Sequence, residues 1–169
     1  MHTIELDSMA IELPAVRQHP NRQPFHGVLT LVDVPSDRPP VGARGHRVVL
    51  TRAAAEGALA SLLGMALDYS PSLDRHDSRR KVGIITRAEV LGRQLELGGY
   101  LFAKDFPEIV EKLGDRKAHA DLGMSYEITD ARIADMRAQI WTLTKVTFTG
   151  AAILRRDKAA YQDTWIDLK

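Results

Sequence analysis

The feature that most constrains this sequence is a series of short apolar and β-branched runs that lack the regular strand–helix alternation of a parallel α/β fold. About six to eight such runs predict strands, with two or three short helices between them. The predicted strands are residues 25–34, 47–50, 81–90, 93–103, 122–129, 139–146, 147–154 and 164–168. This pattern predicts an α+β protein, a mostly antiparallel β-barrel or sheet flanked by a few short helices.

The predicted helices are residues 51–65, 105–114 and 157–162. Thr51 is a suitable N-cap for the first helix, because its hydroxyl can accept a hydrogen bond from an N–H of the first turn. Leu59, Leu62 and Leu63 recur at helical spacing and predict its buried stripe. Asp105 is the predicted cap of the second helix.

The domain organisation follows from length and local composition. Residues 1–24 are rich in Pro, Gln, Arg and His, and we interpret them as an N-terminal arm with one short strand at residues 3–6. Residues 25–169 are long enough to bury a substantial core and predict a single domain. No internal repeat divides this segment.

Charge and cysteine content exclude several classes of function. Basic and acidic residues number 23 and 22, which leaves a net charge of +1 and argues against nucleic acid or an anionic membrane as the main partner. The chain has no cysteine, so disulfides, thiolate metal sites and a cysteine nucleophile are excluded. No histidine pair has zinc-ligand spacing, and we expect no metal or cofactor. Without a signal-like start or an apolar run of roughly 20 residues, we expect a soluble intracellular protein.

Ser125 is the candidate nucleophile of the chain. It follows Gly123-Met124 at the start of a predicted strand, and His76 lies far upstream, after Asp74-Arg75. A serine needs a base to attack at neutral pH, and histidine has the appropriate pKa for that role. Because position 127 is Glu, the Gly-x-Ser-x-Gly elbow of α/β-hydrolases is not present.

Three segments in the right order resemble the prohead (capsid maturation) serine proteases of tailed phages, which are similar in fold to the assemblin proteases of herpesviruses. They are His76 before the strand containing Gly83, the Gly123-Met124-Ser125-Tyr126 segment, and residues 143–152. The resemblance covers residues 25–160 and implies a serine endopeptidase with Ser125 as nucleophile and His76 as general base. Arg155 and Arg156 resemble the paired arginines that such enzymes place beside the oxyanion.

The resemblance also implies partners and a location. The expected substrates are scaffold and major capsid proteins, cleaved inside the assembling prohead in the host cytoplasm. We expect a homo-oligomer that binds neither nucleic acid nor membrane.

The third member of the triad is where the sequence departs from the family. Lys145 stands where the phage proteases commonly have Glu, and an ammonium group cannot orient the imidazole. Glu127 or Asp135 could replace the missing acid, or a Ser–His dyad could suffice. Alternatively, the chain is a catalytically weakened or inactive relative that serves as a structural capsid or scaffold component. Arg155 and Arg156 have an equally simple interpretation, a solvated basic turn paired with Asp157.

Two geometric predictions follow from the proposed chemistry. The Oγ of Ser125 should lie about 2.6–3.2 Å from a His76 nitrogen, or somewhat farther when no substrate is bound. Both residues should lie beside a groove that can bind an extended peptide. Lys145 should point away from His76, because its charge would disfavour the imidazolium that forms during acyl transfer.

Overall fold

The computed structural model describes residues 3–5 and 19–169, the first three by their backbone alone. The strands are β1 (Thr3–Glu5), β2 (Gln23–Leu31), β3 (Arg47–Leu50), β4 (Ala66–Tyr69), β5 (Lys81–Leu91), β6 (Gln94–Leu101), β7 (Leu122–Ile133), β8 (Ile140–Arg155) and β9 (Trp165–Leu168). The helices are α1 (Arg52–Ala58), α2 (Pro107–Gly114) and α3 (Arg116–His119), and a 3₁₀ turn spans Leu59–Leu62.

These strands form one open, mixed sheet in the order β3-β8-β4-β5-β6-β2-β9, with β1 added to β5 and β7 added to β8. Both β3 and β4 run parallel to β8, whereas β7 runs antiparallel to it. The fold-class prediction of an α+β, mostly antiparallel barrel or sheet was therefore wrong. The protein is mainly β, with 46% strand and 15% helix, and its mixed sheet does not close. Local patterns identify strands but not the distant parallel pairings that decide their arrangement.

The strand β8 is the longest element and pairs with three other strands. The sequence predicted two strands here, yet the structure has one continuous strand of 16 residues. Its first part pairs with β3 and its last part with β4, while β7 follows its other edge. Because β4 was not predicted as a strand at all, no predicted pairing indicated that the two runs are one strand.

The helix predictions succeeded in part. The Thr51 hydroxyl accepts a hydrogen bond from the N–H of Ala54, so the predicted cap is confirmed, although α1 ends at Ala58. Phe106, not Asp105, is the N-cap residue of α2. Residues 157–162 form turns and not a helix, and the Tyr161 hydroxyl there donates to the carbonyl oxygens of Val34 and Val48.

The two faces of β7 have different environments. Met124 is buried, and Tyr126 packs edge-on against Phe148 in the core, with ring centroids 5.5 Å apart. Side chains alternate between the faces of a strand, so Gly123, Ser125 and Glu127 project to the opposite, outer face. The candidate nucleophile therefore lies outside the core.

Candidate active site

The outer face of the sheet brings Ser125 into one row with a buried carboxylate. Ser125 lies opposite Ala152 on β8, and Ala152 lies opposite Asp68 on β4. Residues that are directly opposite one another share a face, and neighbouring strands lie about 4.8 Å apart. Ser125 and Asp68 thus face the same side at a backbone separation of roughly 10 Å, with Ala152 between them on β8.

His76 lies beside this row, in the loop that joins β4 to β5. Its Nδ1 is 3.6 Å from Oδ2 of Asp68 and 3.7 Å from Oε1 of Glu127. The imidazole is largely buried, with 17% of the side chain exposed. Asp68 also holds the loop in place, because its Oδ1 accepts a hydrogen bond of 3.1 Å from the N–H of Asp77. The fold has therefore brought together Ser125, His76 and two acids from distant parts of the sequence.

Asp68 was not identified from the sequence, and its environment favours an ionised carboxylate. Burial alone would raise its pKa, since only 2% of the side chain is exposed. Three interactions outweigh this effect of burial and hold the pKa of Asp68 below its ordinary value. They are made with His76, with the N–H of Asp77 and with the Lys81 ammonium. The signal that the sequence offered was an acid inside the apolar run Ala66-Leu67-Asp68-Tyr69.

Glu127, the third member proposed from the sequence, also lies beside His76. It is opposite Gly150 on β8, where an added Cβ would come within 2.8 Å of Oε2 of Glu127. The missing side chain at Gly150 thus gives the Glu127 carboxylate room to lie across β8. Its side chain is 54% exposed, so water competes for this acid far more than for Asp68.

The predicted hydrogen bond between Ser125 and His76 is not formed. Within the described part of the chain, neither ring nitrogen of His76 has a hydrogen-bond partner, although both are buried. The cavity that Ser125 lines beside Pro40, Ala160 and Tyr161 measures about 30 Å³. This space is far too small for a peptide residue, so the predicted groove is not open at the serine.

The two arginines at the end of β8 have different surroundings. Nε of Arg155 is 3.1 Å from Oδ1 of Asp157, as the interpretation of a solvated basic turn predicted. Nε of Arg156 donates to the carbonyl oxygen of Leu122 at 3.1 Å. The Arg156 stem covers Gly123, where an added Cβ would lie 3.1 Å from its Cγ. Arg156 is therefore next to Ser125 along the same face of β7.

Lys145 and Asp135 both lie away from the histidine. Lys145 is exposed and opposite Arg132, five residues before Gly150 on β8. Five residues of extended chain span roughly 16 Å, so the predicted separation of Lys145 from His76 is confirmed. Asp135 accepts a hydrogen bond from the N–H of Arg137 in the turn after β7.

Neither a metal site nor a membrane-spanning helix is present among the described residues. No group of three or more His, Asp or Glu side chains there is arranged to hold a metal ion. No helix in the described part of the chain has the length and apolar character needed to cross a membrane.

Comparisons with known proteins find one distant structural similarity. No protein-family model matches the sequence, and no curated protein matches it either. Among solved structures, the chain is similar to KSHV protease in complex with a hexapeptide phosphonate inhibitor, with a TM-score of 0.42 and 11% sequence identity. The match covers 78% of this chain and 59% of that one.

Proposed function

We propose that this chain is a serine endopeptidase in which Ser125 is the nucleophile and His76 is the general base. The observation that carries the proposal is the position of His76, whose Nδ1 faces two carboxylates on the same face of the sheet as Ser125. A carboxylate at one ring nitrogen fixes the tautomer and stabilises the imidazolium, which is the third role in a serine triad. Asp68 is the better candidate for that role because it is buried and ionised.

The catalytic sequence follows from this arrangement. With the proton of the neutral ring held on Nδ1 beside Asp68, Nε2 is free to accept the Ser125 hydroxyl proton while Oγ attacks the peptide carbonyl carbon. Nε2 then returns that proton to the leaving amine, and water hydrolyses the acyl-enzyme by the same steps. Arg155 is paired with Asp157, and Arg156 lies over Gly123 with its Nε bonded to the carbonyl oxygen of Leu122, so backbone N–H groups beside Ser125 are the candidates for stabilising the oxyanion.

Substrate binding would need a local opening beside Ser125. Met124 directs its N–H away from β8, to Oγ1 of Thr164. Alternate residues of an antiparallel strand direct their backbone groups to the same side, so Tyr126 does likewise. A peptide could add as a strand along this edge once Thr164 and the loop carrying Pro40 move outward. Catalytic hydrogen bonds commonly shorten when substrate binds, which accounts for the missing Ser125–His76 bond under this proposal.

The biological setting that we propose rests on the resemblance of the sequence to phage prohead proteases. The substrates would be scaffold and major capsid proteins, cut during virion assembly inside the prohead in the host cytoplasm. The enzyme would act as a homo-oligomer packed with its substrates. The residues that support this setting are His76, the Gly123-Met124-Ser125 segment and residues 143–152.

A second candidate function is a catalytically weakened or inactive relative with a structural role in the capsid or scaffold. One observation favours it, namely that both His76 nitrogens lack a hydrogen-bond partner within the described residues. The two candidates differ in whether substrate brings Ser125 and His76 together.

Peptide cleavage tests the preferred function directly. The purified chain is incubated with a diverse peptide library and with co-expressed scaffold and capsid protein, and new termini are identified by mass spectrometry. We expect cleavage by the wild-type chain and none by Ser125→Ala, because the variant lacks the nucleophile. The fold should persist, since Ser125 is only half-buried and lies outside the core. Equal cleavage by wild type and Ser125→Ala would assign the activity to another source.

A further inference from the structure

A second cleft lies next to the candidate nucleophile and has its own chemistry. It measures about 540 Å³ and is open to solvent between the β5–β6 turn and the segment that leads into β9. Arg93 and Arg156 line it on the polar side, and Leu91 and Trp165 provide apolar surface. This volume suits a side chain with its flanking backbone, unlike the small space at Ser125 itself.

The charge of the cleft favours an anion. Arg93 and Arg156 contribute two guanidinium groups against the single carboxylate of Asp163. Within the described residues, no ion pair involves any of these three side chains. Guanidinium groups bind carboxylates through paired hydrogen bonds, whereas an exposed arginine without such a partner is only solvated.

Arg156 lies between the cleft and the outer face of the sheet that carries Ser125. Its stem covers Gly123, two residues from Ser125 on the same face of β7. Its Nε donates to the carbonyl oxygen of Leu122, and Arg156 also lines the cleft. Two residues of strand span about 6.6 Å, so a peptide extending from Ser125 toward Leu122 reaches the cleft within two or three residues.

We propose that this cleft binds an acidic side chain, Glu or Asp, of the peptide substrate about two or three residues from the bond that Ser125 attacks. The inference rests on the proposed function, because only a protease would bind this side chain as part of a substrate. Recognition of the carboxylate itself depends only on Arg93, Arg156 and the apolar surface of Leu91 and Trp165. A carboxylate would lie between the two guanidinium groups while its methylene groups pack against Trp165.

Binding can be measured without catalysis, in the Ser125→Ala protein. The probes are a matched pair of peptides, acetyl-Ala-Glu-Ala-Ala-amide and the same peptide with Gln in place of Glu. The chain has two tryptophans, and Trp141→Phe identifies the indole signal of Trp165 in ¹H–¹⁵N NMR spectra. We expect the Glu peptide to shift the Trp165 signal and to bind about tenfold more tightly than the Gln peptide.

Charge variants complete the test. Arg93→Gln should abolish the preference for Glu, whereas Arg137→Gln, at an exposed arginine in the turn after β7, should preserve it. Equal binding of the two peptides, or no binding of either, would overturn the inference. Neither result bears on the nucleophile, because reaction of Ser125 with a fluorophosphonate tests the proposed function separately.

Discussion

At the scale of single residues, the two acids beside His76 should contribute unequally. Asp68 is buried and also binds the N–H of Asp77, whereas Glu127 is more than half exposed. Asp68→Asn should therefore lower kcat by about 10²–10⁴-fold through loss of the correct tautomer, and Glu127→Gln by less than about tenfold. Cleavage kinetics of both variants check this order. A larger loss in Glu127→Gln would make Glu127 the orienting acid.

Gly150 offers an independent test of the Glu127 position. A methyl group there would meet Oε2 of Glu127 at 2.8 Å, but this exposed side chain can move aside. We expect Gly150→Ala to change the unfolding free energy by less than about 1 kcal/mol. The matched control is Gly99→Ala, where the methyl group would lie only 2.0 Å from the backbone oxygen of Ile84. That variant should lose about 3 kcal/mol or more in denaturant titrations. Equal losses would show that Glu127 is rigidly held.

The sequence alone suggests some of these candidate residues and not others. Ser125 and His76 stood out because the glycine-led strand and the loop histidine resemble a known arrangement. Asp68 could not be assigned a role from the sequence. Its place beside Ser125 depends on the pairing of both β4 and β7 with β8 at Ala152. That adjacency joins residues more than fifty positions apart, and no local pattern encodes it.

At the level of secondary-structure elements, four features were predicted with nearly the observed bounds: the β5–β6 hairpin, β3, the α1 cap and the final strand. Each of these depends on local signals, such as the Gly92 turn or the Thr51 cap. The parallel pairings of β8 depend on distant partners, and for that reason the predicted antiparallel barrel was wrong.

The turn segment 157–162 shows how tertiary contacts can override helix propensity. The Tyr161 hydroxyl donates to two backbone carbonyls, of Val34 and Val48, each at 3.1 Å. Tyr161→Phe removes the donor and leaves these acceptors without it, so we expect a loss of about 1–3 kcal/mol in unfolding free energy. Urea titration of the variant measures this loss. An unchanged midpoint would mean that water replaces the hydroxyl.

At the scale of the whole molecule, buried ionisable groups make stability depend on pH in both directions. Interactions with His76, Asp77 and Lys81 hold the pKa of Asp68 below its ordinary value of 3.8 despite burial. The folded state therefore binds fewer protons than the unfolded chain near that pH, and this contribution to stability disappears as pH falls through the folded pKa. Below about pH 4, the Tm of Asp68→Asn should therefore fall less steeply with decreasing pH than the Tm of the wild-type chain. An unchanged acid profile would contradict this.

The opposite sign applies at high pH. Burial raises the pKa of Tyr126 and of Tyr161 well above the ordinary value of 10.0. The folded state keeps both phenol protons while the unfolded chain releases them, so stability should decline as pH rises above 10. Thermal unfolding in a pH series checks this, and Tyr161→Phe should show a shallower decline than wild type. A flat alkaline profile in the wild-type chain would contradict it.

If His76 on the outer face of the sheet activates Ser125, covalent labelling of this serine should reveal it. In this reaction Oγ of Ser125 attacks the phosphorus of a fluorophosphonate, fluoride leaves, and His76 accepts the hydroxyl proton. Peptide mapping by mass spectrometry should place the adduct on Ser125 in the wild-type chain, with none in Ser125→Ala and about 10²-fold or slower labelling in His76→Ala. A folded wild-type chain with no adduct on Ser125, or a labelling rate unaffected by His76→Ala, would contradict the account.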